Sequence, residues 1–226
     1  MSKMLINLLN ALFVLLTPLI VVLGSARLLA TEQYLTFEYS KADFPSDLYG
    51  LDQSRRFALA SANMRYVRDN LPGEALAGQT LDGELAYTPR EVVHMADVQA
   101  AFQSAWRIWQ VSVILLLLGG SILLRVGGRA ALTFAIQWGG LLTSGIILTI
   151  ALLALFAWQV WFDSFHLFFF KPGSWLFDYS DMLIRLFPIQ FWIDATFAIS
   201  TMTLIGGLLL AFSGWRWRRV LGKGEV

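Results

Sequence analysis

The chain has 226 residues, of which 57% are hydrophobic and 15% charged, and its mean hydropathy is +0.60. An average soluble domain is about 45–50% apolar and about 25% charged, so this composition indicates an integral membrane protein. The net charge of +1, with no cluster of Lys and Arg away from the edges of apolar runs, argues against a nucleic-acid-binding protein, and the lack of cysteine excludes disulfides, thiolate metal sites and a cysteine nucleophile.

Four apolar runs predict transmembrane helices, because a crossing needs about 20 consecutive apolar residues. The predicted spans are residues 1–27, 108–124, 130–158 and 195–215. The first run is too long for the hydrophobic region of a signal peptide, which is about 7–15 residues, and it is therefore interpreted as a retained anchor. The third run stays apolar beyond the length of one crossing, so we expect it to tilt or to continue along the membrane interface.

Basic residues in the short connections predict the orientation of these spans. The R-V-G-G-R connection between spans two and three and the tail 216–226 are rich in arginine, and Lys3 precedes span one. The positive-inside rule places all three on the cytoplasmic side of the cell membrane. Both termini are then cytoplasmic, and the extracellular segment 28–107 and the interfacial aromatic segment 159–194 both face outwards.

The outer segment between spans one and two is expected to form a small folded domain. Weak alternation of apolar and polar residues in 33–40 predicts a strand, helical spacing predicts a helix in 52–71, and turn-forming residues predict a hairpin in 72–87. The predicted fold class is therefore a mainly α, polytopic membrane protein. It has four transmembrane helices and a small extracellular α/β domain between spans one and two.

A clear helix start lies at the end of this outer segment. Thr88 is suited to the N-cap, Pro89 to the first helical position, and Glu91 follows Thr88 by three residues, which is the spacing of a capping box. No Gly or Pro then occurs before Gly119, so the predicted helix runs unbroken into span two.

One face of this predicted helix carries a histidine between two carboxylates. Glu91, His94 and Asp97 are spaced three residues apart, and Arg90 lies four residues before His94. Neighbouring carboxylates fix the tautomer of a histidine and stabilise its charged form, as in acid–base catalysis. The alternative is a solvated polar face on an extracellular helix.

The second histidine, His166, lies in a segment dense in aromatic residues, "FDSFHLFFFKPGSWLFDYSDMLIRLFP". A belt of aromatic residues at the membrane interface is one explanation, but so many phenylalanines also suit a slot for acyl chains. Ionisable residues at this depth are candidates for function, although Lys171 and Arg185 are equally explained as interfacial anchors. The polar residues of the segment are Asp163, His166, Lys171, Asp178, Asp181 and Arg185.

Several familiar kinds of active site are absent from the sequence. There is no H-E-x-x-H zinc motif and no G-x-S-x-G nucleophile elbow, and neither histidine begins an H-x4-D acyltransferase motif. We therefore expect no metal and no cofactor. Two histidines on the outer side of the membrane, next to an aromatic pocket, suit acid–base chemistry on a lipid-borne substrate that brings its own nucleophile.

The stretches "REVVHMADV" and "FHLFFFKPGSWLFDYSDMLIRLFP" resemble the two motif regions of the Lit family, the bacterial lipoprotein intramolecular transacylases. The four predicted spans and the outer segment between the first two also resemble that family. The resemblance implies transfer of the sn-2 acyl chain of a diacylglyceryl-modified N-terminal cysteine to the α-amino group of that cysteine, giving a lyso-form lipoprotein.

The paired histidines of the family fall on His94 and His166, so the resemblance implies that these two are catalytic. The partners implied are the diacylated lipoprotein N-terminus and bilayer lipid, with the protein acting as a monomer. Further residues expected to bind the substrate or to support the histidines are Arg90, Glu91, Asp97, Trp175, Asp178, Asp181 and Arg185.

Two other functions fit the same composition. A non-catalytic protein that binds lipid or lipoprotein would use the aromatic slot without catalysing a reaction. A structural subunit of an envelope complex would need neither the slot nor a reaction. The pair of histidines on one side of the membrane favours the enzyme, since a binding protein requires aromatic residues but not two imidazoles.

Overall fold

The structure is a computed structural model that describes residues 3–223, so the ends of the predicted span 1–27 and of the predicted tail 216–226 lie outside the described residues. Within this range the chain is mainly helical, which confirms the predicted mainly α class. The elements in chain order are α1 (Lys3–Leu29), α2 (Glu32–Ser40), α3 (Gln53–Arg68), α4 (Glu74–Ala77), β1 (Thr80–Leu81), β2 (Glu84–Leu85), α5 (Pro89–Phe156), α6 (Trp158–Phe169), α7 (Met182–Leu186) and α8 (Ile189–Lys223).

Three of the described helices, α1, α5 and α8, are long and apolar enough to cross a membrane. Helix α5 has 68 residues and would be about 100 Å long if it were straight, against about 30 Å for the hydrocarbon core. It is interrupted at Gly128, whose φ of 70° and ψ of −173° are not helical and are open almost only to glycine. Gly128 lies within the R-V-G-G-R connection, so two helical segments meet there.

The apolar helices form one compact unit, which consists of the residues up to Ala26, Trp106–Leu155 and the residues from Ala198 onwards. Glycines allow close approach between its helices. A Cβ on Gly140 would lie 2.4 Å from both the Gly207 carbonyl oxygen and the Ala211 amide nitrogen. Small residues at such crossings let helix backbones pack directly in a membrane, where no hydrophobic effect drives helices together.

The second compact unit consists of Arg27–Ala105 and Phe156–Phe197, and it contains both histidines. Its core combines residues of the long outer segment with residues of the second aromatic segment. The Tyr39 hydroxyl, for example, donates a hydrogen bond of 2.7 Å to the Leu186 carbonyl. The buried core residues are Leu35, Tyr39, Leu51, Ala60, Tyr66, Leu76, Tyr87, Met95, Met182, Leu183, Leu186, Phe187 and Phe191.

The strand predicted at 33–40 is wrong, because these residues form helix α2. Thr31 caps the helix by accepting a hydrogen bond of 3.2 Å from the Tyr34 amide, and Leu35 and Tyr39 are buried at helical spacing. The predicted helix in 52–71 is confirmed as α3, and the hairpin in 72–87 as β1 and β2. The α/β character of this unit is limited to that hairpin of two-residue strands.

Candidate active site

The predicted capping box is confirmed and fixes the start of α5. The Thr88 amide donates 2.8 Å to Glu91 Oε2, and the Glu91 amide donates 3.3 Å to Thr88 Oγ1. The other carboxylate oxygen, Glu91 Oε1, accepts a hydrogen bond of 2.7 Å from the Leu183 amide. Glu91 is therefore a buried link between the start of α5 and the start of α7, one helical turn before His94.

Neither carboxylate on this face hydrogen-bonds a histidine, contrary to the expected acid–histidine contact. Both oxygens of Glu91 are occupied by backbone amides, and Asp97 is exposed with no hydrogen bond in the described part of the chain. The two oxygens of the Glu91 carboxylate are thus fully used, one in capping α5 and the other in the contact with Leu183. Glu91 supports His94 through the backbone, and Asp97 acts on it only through its charge.

Replacing Glu91 with glutamine should destabilise the protein, because its amide NH2 would then face either the part-buried Thr88 N–H or the buried Leu183 N–H. Leaving a buried donor unpaired costs about 1–3 kcal/mol in the free energy of unfolding. Asp97→Asn is the matched control, since that side chain is exposed, and it should leave stability unchanged. Unfolding of the purified variants in detergent measures both values. Equal stability of Glu91→Gln and the parent would contradict the role assigned to Glu91.

His94 lies on α5 in an aromatic environment. It is 8% exposed, and its ring makes edge contacts with Phe170 at 5.1 Å and Phe177 at 5.4 Å between centroids. Its Nδ1 is buried and has no hydrogen-bond partner among residues 3–223. Burial, followed by the charge of His166, lowers the pKa of His94 to about 4, and the nearby Asp97 opposes this only in part. His94 is therefore neutral at neutral pH.

His166 lies on α6, and one of its two ring nitrogens is already engaged. Its Nδ1 is 2.7 Å from the Phe162 carbonyl oxygen, one turn earlier on the helix. A carbonyl only accepts, so Nδ1 carries the proton and Nε2 of the neutral ring has a free lone pair. Burial lowers the pKa of His166, while the Phe162 carbonyl and Asp163 oppose that effect. The neutral tautomer is thus set for Nε2 to accept a proton.

Phe170 brings the two histidines together. Its ring centroid is 5.1 Å from that of His94 and 5.8 Å from that of His166, so the imidazoles are no farther apart than the sum of these distances. No hydrogen bond joins the two imidazoles in the described contacts. Both rings contact Phe170, and His166 acts on His94 electrostatically, by lowering its pKa.

Two of the predicted supporting residues lie at this cluster. Trp175 is 8% exposed and stacks on His166, with ring centroids 5.2 Å apart and planes inclined by 30°. Arg90 donates a hydrogen bond of 3.0 Å to the Leu176 carbonyl, and its guanidinium lies 5.6 Å from the Phe177 ring centroid. Arg90 therefore stabilises the segment around Leu176 and Phe177, in which Phe177 packs against His94.

The remaining predicted residues are engaged elsewhere. Arg185 forms a two-pronged ion pair with Asp47, at 2.9 Å and 3.1 Å. The hydrogen bonds from Arg185, followed by those from backbone amides, outweigh burial and lower the pKa of Asp47 to about 2. Asp181 accepts a hydrogen bond of 2.8 Å from the Asp178 amide and shapes the turn before α7. These contacts are structural, and none of them includes a histidine.

Trp175 is named individually from the sequence, but the phenylalanines that contact the histidines are predicted only as members of an aromatic segment. Phe162, His166 and Phe170 are spaced four residues apart, so helical periodicity was the signal that placed them on one side of α6. No such signal existed for Phe177, which reaches His94 from a segment without regular structure. Among residues 3–223, no group of three or more His, Asp or Glu side chains is arranged to hold a metal ion.

Comparison with known proteins identifies the family of this chain. The family model described as lipoprotein intramolecular transacylase Lit matches residues 11–192, a range that includes both histidine motifs. The chain belongs to the Lit family. It is accordingly a multi-pass membrane protein of a transferase family whose substrates are lipoproteins.

Related proteins match this chain over nearly its whole length. An uncharacterized protein of Aquifex aeolicus (strain VF5) is 32% identical over 222 residues, covering 96% of this chain and 99% of that protein. The structure of the lipoprotein intramolecular transacylase Lit from Bacillus cereus has a TM-score of 0.80 at 18% identity, with both chains fully covered. A structure of that protein with one histidine replaced by alanine has a TM-score of 0.62, covering 97% and 95% of the two chains. At this identity the solved structures show a shared fold.

Proposed function

We propose that the protein transfers the sn-2 acyl chain of a diacylglyceryl-modified N-terminal cysteine to the α-amino group of the same cysteine. The product is a lyso-form lipoprotein that is N-acylated and retains one ester-linked chain. The observation that carries the proposal is the pair of neutral imidazoles that both contact Phe170, one of which has a free Nε2.

The reaction suits a site without a protein nucleophile. The amine and the ester belong to one substrate molecule, so a correctly bound substrate gains the large effective molarity of an intramolecular reaction. The amine nitrogen forms a bond to the ester carbonyl carbon and loses a proton, and the bond to the glyceryl oxygen breaks as that oxygen gains a proton. No oxidant, reductant or second substrate is consumed.

We assign the proton transfer to His166. Its Nε2 takes the proton from the attacking amine and returns it to the leaving glyceryl oxygen, so that one imidazole serves as base and then as acid. His94 has a pKa of about 4 and does not begin the reaction as a proton donor. It offers a neutral ring whose Nδ1 has no partner in the described protein and is available to a polar group of the substrate.

The pH dependence of the reaction tests this assignment. The substrate α-amine has a pKa of about 7.7–8.0, and both histidines have lowered pKa values and are already neutral in that range. The initial rate should rise with pH until the amine is deprotonated and then stay level to about pH 9. Conversion of a synthetic diacylglyceryl lipopeptide by the detergent-solubilised protein gives this profile. A fall in rate above about pH 7 would show that a protonated histidine is required at the start.

The exposed face of α6 supports a contact with acyl chains or bilayer lipid. The helix has no buried residue, and the Phe168 side chain is 82% exposed to its surroundings. An apolar surface of this kind is stable next to lipid and costly in water. We assign the slot for the transferred chain to the end of α6 around His166 and Phe168 and to Trp175, and we propose that the protein acts as a monomer.

We also propose four crossings, with both termini cytoplasmic and the two histidines on the outer side of the membrane. This orientation follows from the positions of the basic connections. The native chain has no cysteine, so single cysteines can be placed and labelled. Ser46→Cys should react with an impermeant maleimide in intact cells and Gly222→Cys only after the cells are permeabilised. The reverse pattern would overturn the orientation.

A comparison of cells with and without the protein tests the function itself. Mass spectrometry of a native lipoprotein N-terminus should show the N-acyl lyso form only where the protein is present. A diacylglyceryl N-terminus in both cases would favour a protein that binds lipoprotein without changing it.

A further inference from the structure

Trp175 has a buried hydrogen-bond donor without a partner, directly beside His166. Its ring is 5.2 Å from the imidazole, and its Nε1 is buried and has no hydrogen-bond partner in the part of the chain that the structure describes. An indole N–H can only donate, and buried polar groups in folded proteins are almost always paired. A donor left unpaired next to a proposed catalytic base is therefore expected to find its acceptor when the substrate is bound.

The reaction proposed above creates an acceptor that needs a donor. When the amine attacks the sn-2 carbonyl carbon, the electron pair of the carbonyl bond moves to the oxygen, which becomes an oxyanion until the glyceryl oxygen leaves. A donor aimed at that oxygen lowers the barrier, because it stabilises charge that is present only in the transition state and intermediate. His166 is occupied by proton transfer and leaves this position open.

We propose that Trp175 Nε1–H donates a hydrogen bond to the sn-2 carbonyl oxygen and to the oxyanion formed from it. The inference rests on the proposed transacylation and names the residue that stabilises its intermediate. Because Nε1 is covered in the free protein, substrate entry displaces the groups that cover it. Trp175 lies in a segment without helix or strand, two residues after Gly173 with a φ of 81°, where local rearrangement leaves regular structure intact.

Other donors in the region are less suited to the oxyanion. The guanidinium of Arg90 is already engaged with the Leu176 carbonyl and the Phe177 ring. Trp158 also has a buried, unpaired Nε1, but its ring contact is with Phe162, at 5.8 Å, and not with either histidine. Trp158 therefore has the same kind of buried, unpaired indole N–H as Trp175 but no ring contact with a histidine among the described contacts, and it provides a matched control.

The test compares Trp175→Phe with Trp158→Phe in the full-length protein. Each change removes an indole N–H and keeps an aromatic ring. Loss of a single oxyanion donor lowers kcat by about 10²–10³-fold in known cases, so we expect a large fall in kcat for Trp175→Phe with KM nearly unchanged. Trp158→Phe should retain kcat within about twofold.

A binding measurement separates stabilisation of the oxyanion from a packing role. A lipopeptide analogue with a tetrahedral phosphonate in place of the sn-2 ester should bind Trp175→Phe more weakly than the parent, by a factor close to the loss in kcat. An analogue with an sn-2 ether, which has no carbonyl oxygen, should bind both proteins equally. Equal losses for the two analogues would overturn the proposal in favour of packing.

Folding of the variant is controlled by an isosteric replacement. Substitution of residue 175 with β-(3-benzothienyl)alanine replaces the N–H by sulfur and keeps the bicyclic shape, so it should reproduce the fall in kcat without loss of thermal stability. Normal kcat in this protein would overturn the role of Nε1. If the parent protein itself failed to convert the lipopeptide, the proposed function would fail, an outcome distinct from failure of the Trp175 assignment.

Discussion

Replacing His166 with alanine should lower the rate of acyl transfer by about 10²–10⁴-fold, the usual contribution of a positioned general acid–base group. The change removes the free Nε2 and the hydrogen bond to the Phe162 carbonyl that fixes the tautomer. His94→Ala should also lose most activity, and the double variant should be little slower than the worse single variant. Groups that act as one catalytic unit, here the proton-transferring His166 and the substrate-contacting His94, are non-additive in this way.

The buried position of His94 determines which control this experiment needs. His94 is largely buried against Phe170 and Phe177. Alanine at this position leaves a cavity, so His94→Gln is the variant to compare, and thermal unfolding in detergent must accompany the rate. Lys171→Ala, an exposed change in the same segment, should keep full activity. Well-folded His166→Ala protein with near-normal conversion would refute the histidine mechanism.

Removing one partner of the Asp47–Arg185 ion pair should have the largest effect on stability. The Asp47 side chain is 1% exposed and accepts both hydrogen bonds from the guanidinium, so Asp47→Asn leaves the largely buried Arg185 charge, 14% exposed, without its partner. Breaking a buried pair in this way costs about 3–5 kcal/mol in the free energy of unfolding. Arg185→Met should be similarly destabilising, with kcat per folded molecule unchanged.

Unfolding in detergent measures this loss, with the exposed pair of Arg55 and Asp52 as control. Arg55→Met should leave stability nearly unchanged, since both side chains are about half exposed. The Asp47 pKa is lowered to about 2, so its contribution is complete above its unfolded pKa of about 3.9 and is lost as the pH falls through 2. If the Asp47→Asn protein were stable but had a reduced kcat, Arg185 would instead have a role in the active site.

Local signals in the sequence predicted the elements that local interactions determine. The capping box at Thr88 and Glu91 and the Asp82–Gly83 turn, where both residues have positive φ, act over a few residues and were read correctly. The strand at 33–40 was misread because apolar residues there satisfy both a period of two and a helical period. Thr31, which caps the helix, was the deciding residue.

Contacts between residues that are far apart in the sequence determine the rest of the site. Arg185 pairs with a carboxylate 138 residues away, and the Glu91 carboxylate reaches an amide 92 residues away, so no local pattern revealed either partner. The tautomer of His166 depends on a backbone carbonyl, which a pattern of side chains does not show. The pairing of the two histidines was predicted from their shared side of the membrane, but the ring that joins them, Phe170, was visible only in the fold.

The most direct test of the central claim follows one acyl chain. Purified protein is mixed with a diacylglyceryl lipopeptide that carries an isotopic label only in the sn-2 chain, in the presence of unlabelled phospholipid. Mass spectrometry should find the label in the new amide on the cysteine nitrogen, with the unlabelled sn-1 ester retained and no labelled free fatty acid. An unlabelled amide, or label released as free acid, would contradict intramolecular transfer from the sn-2 position.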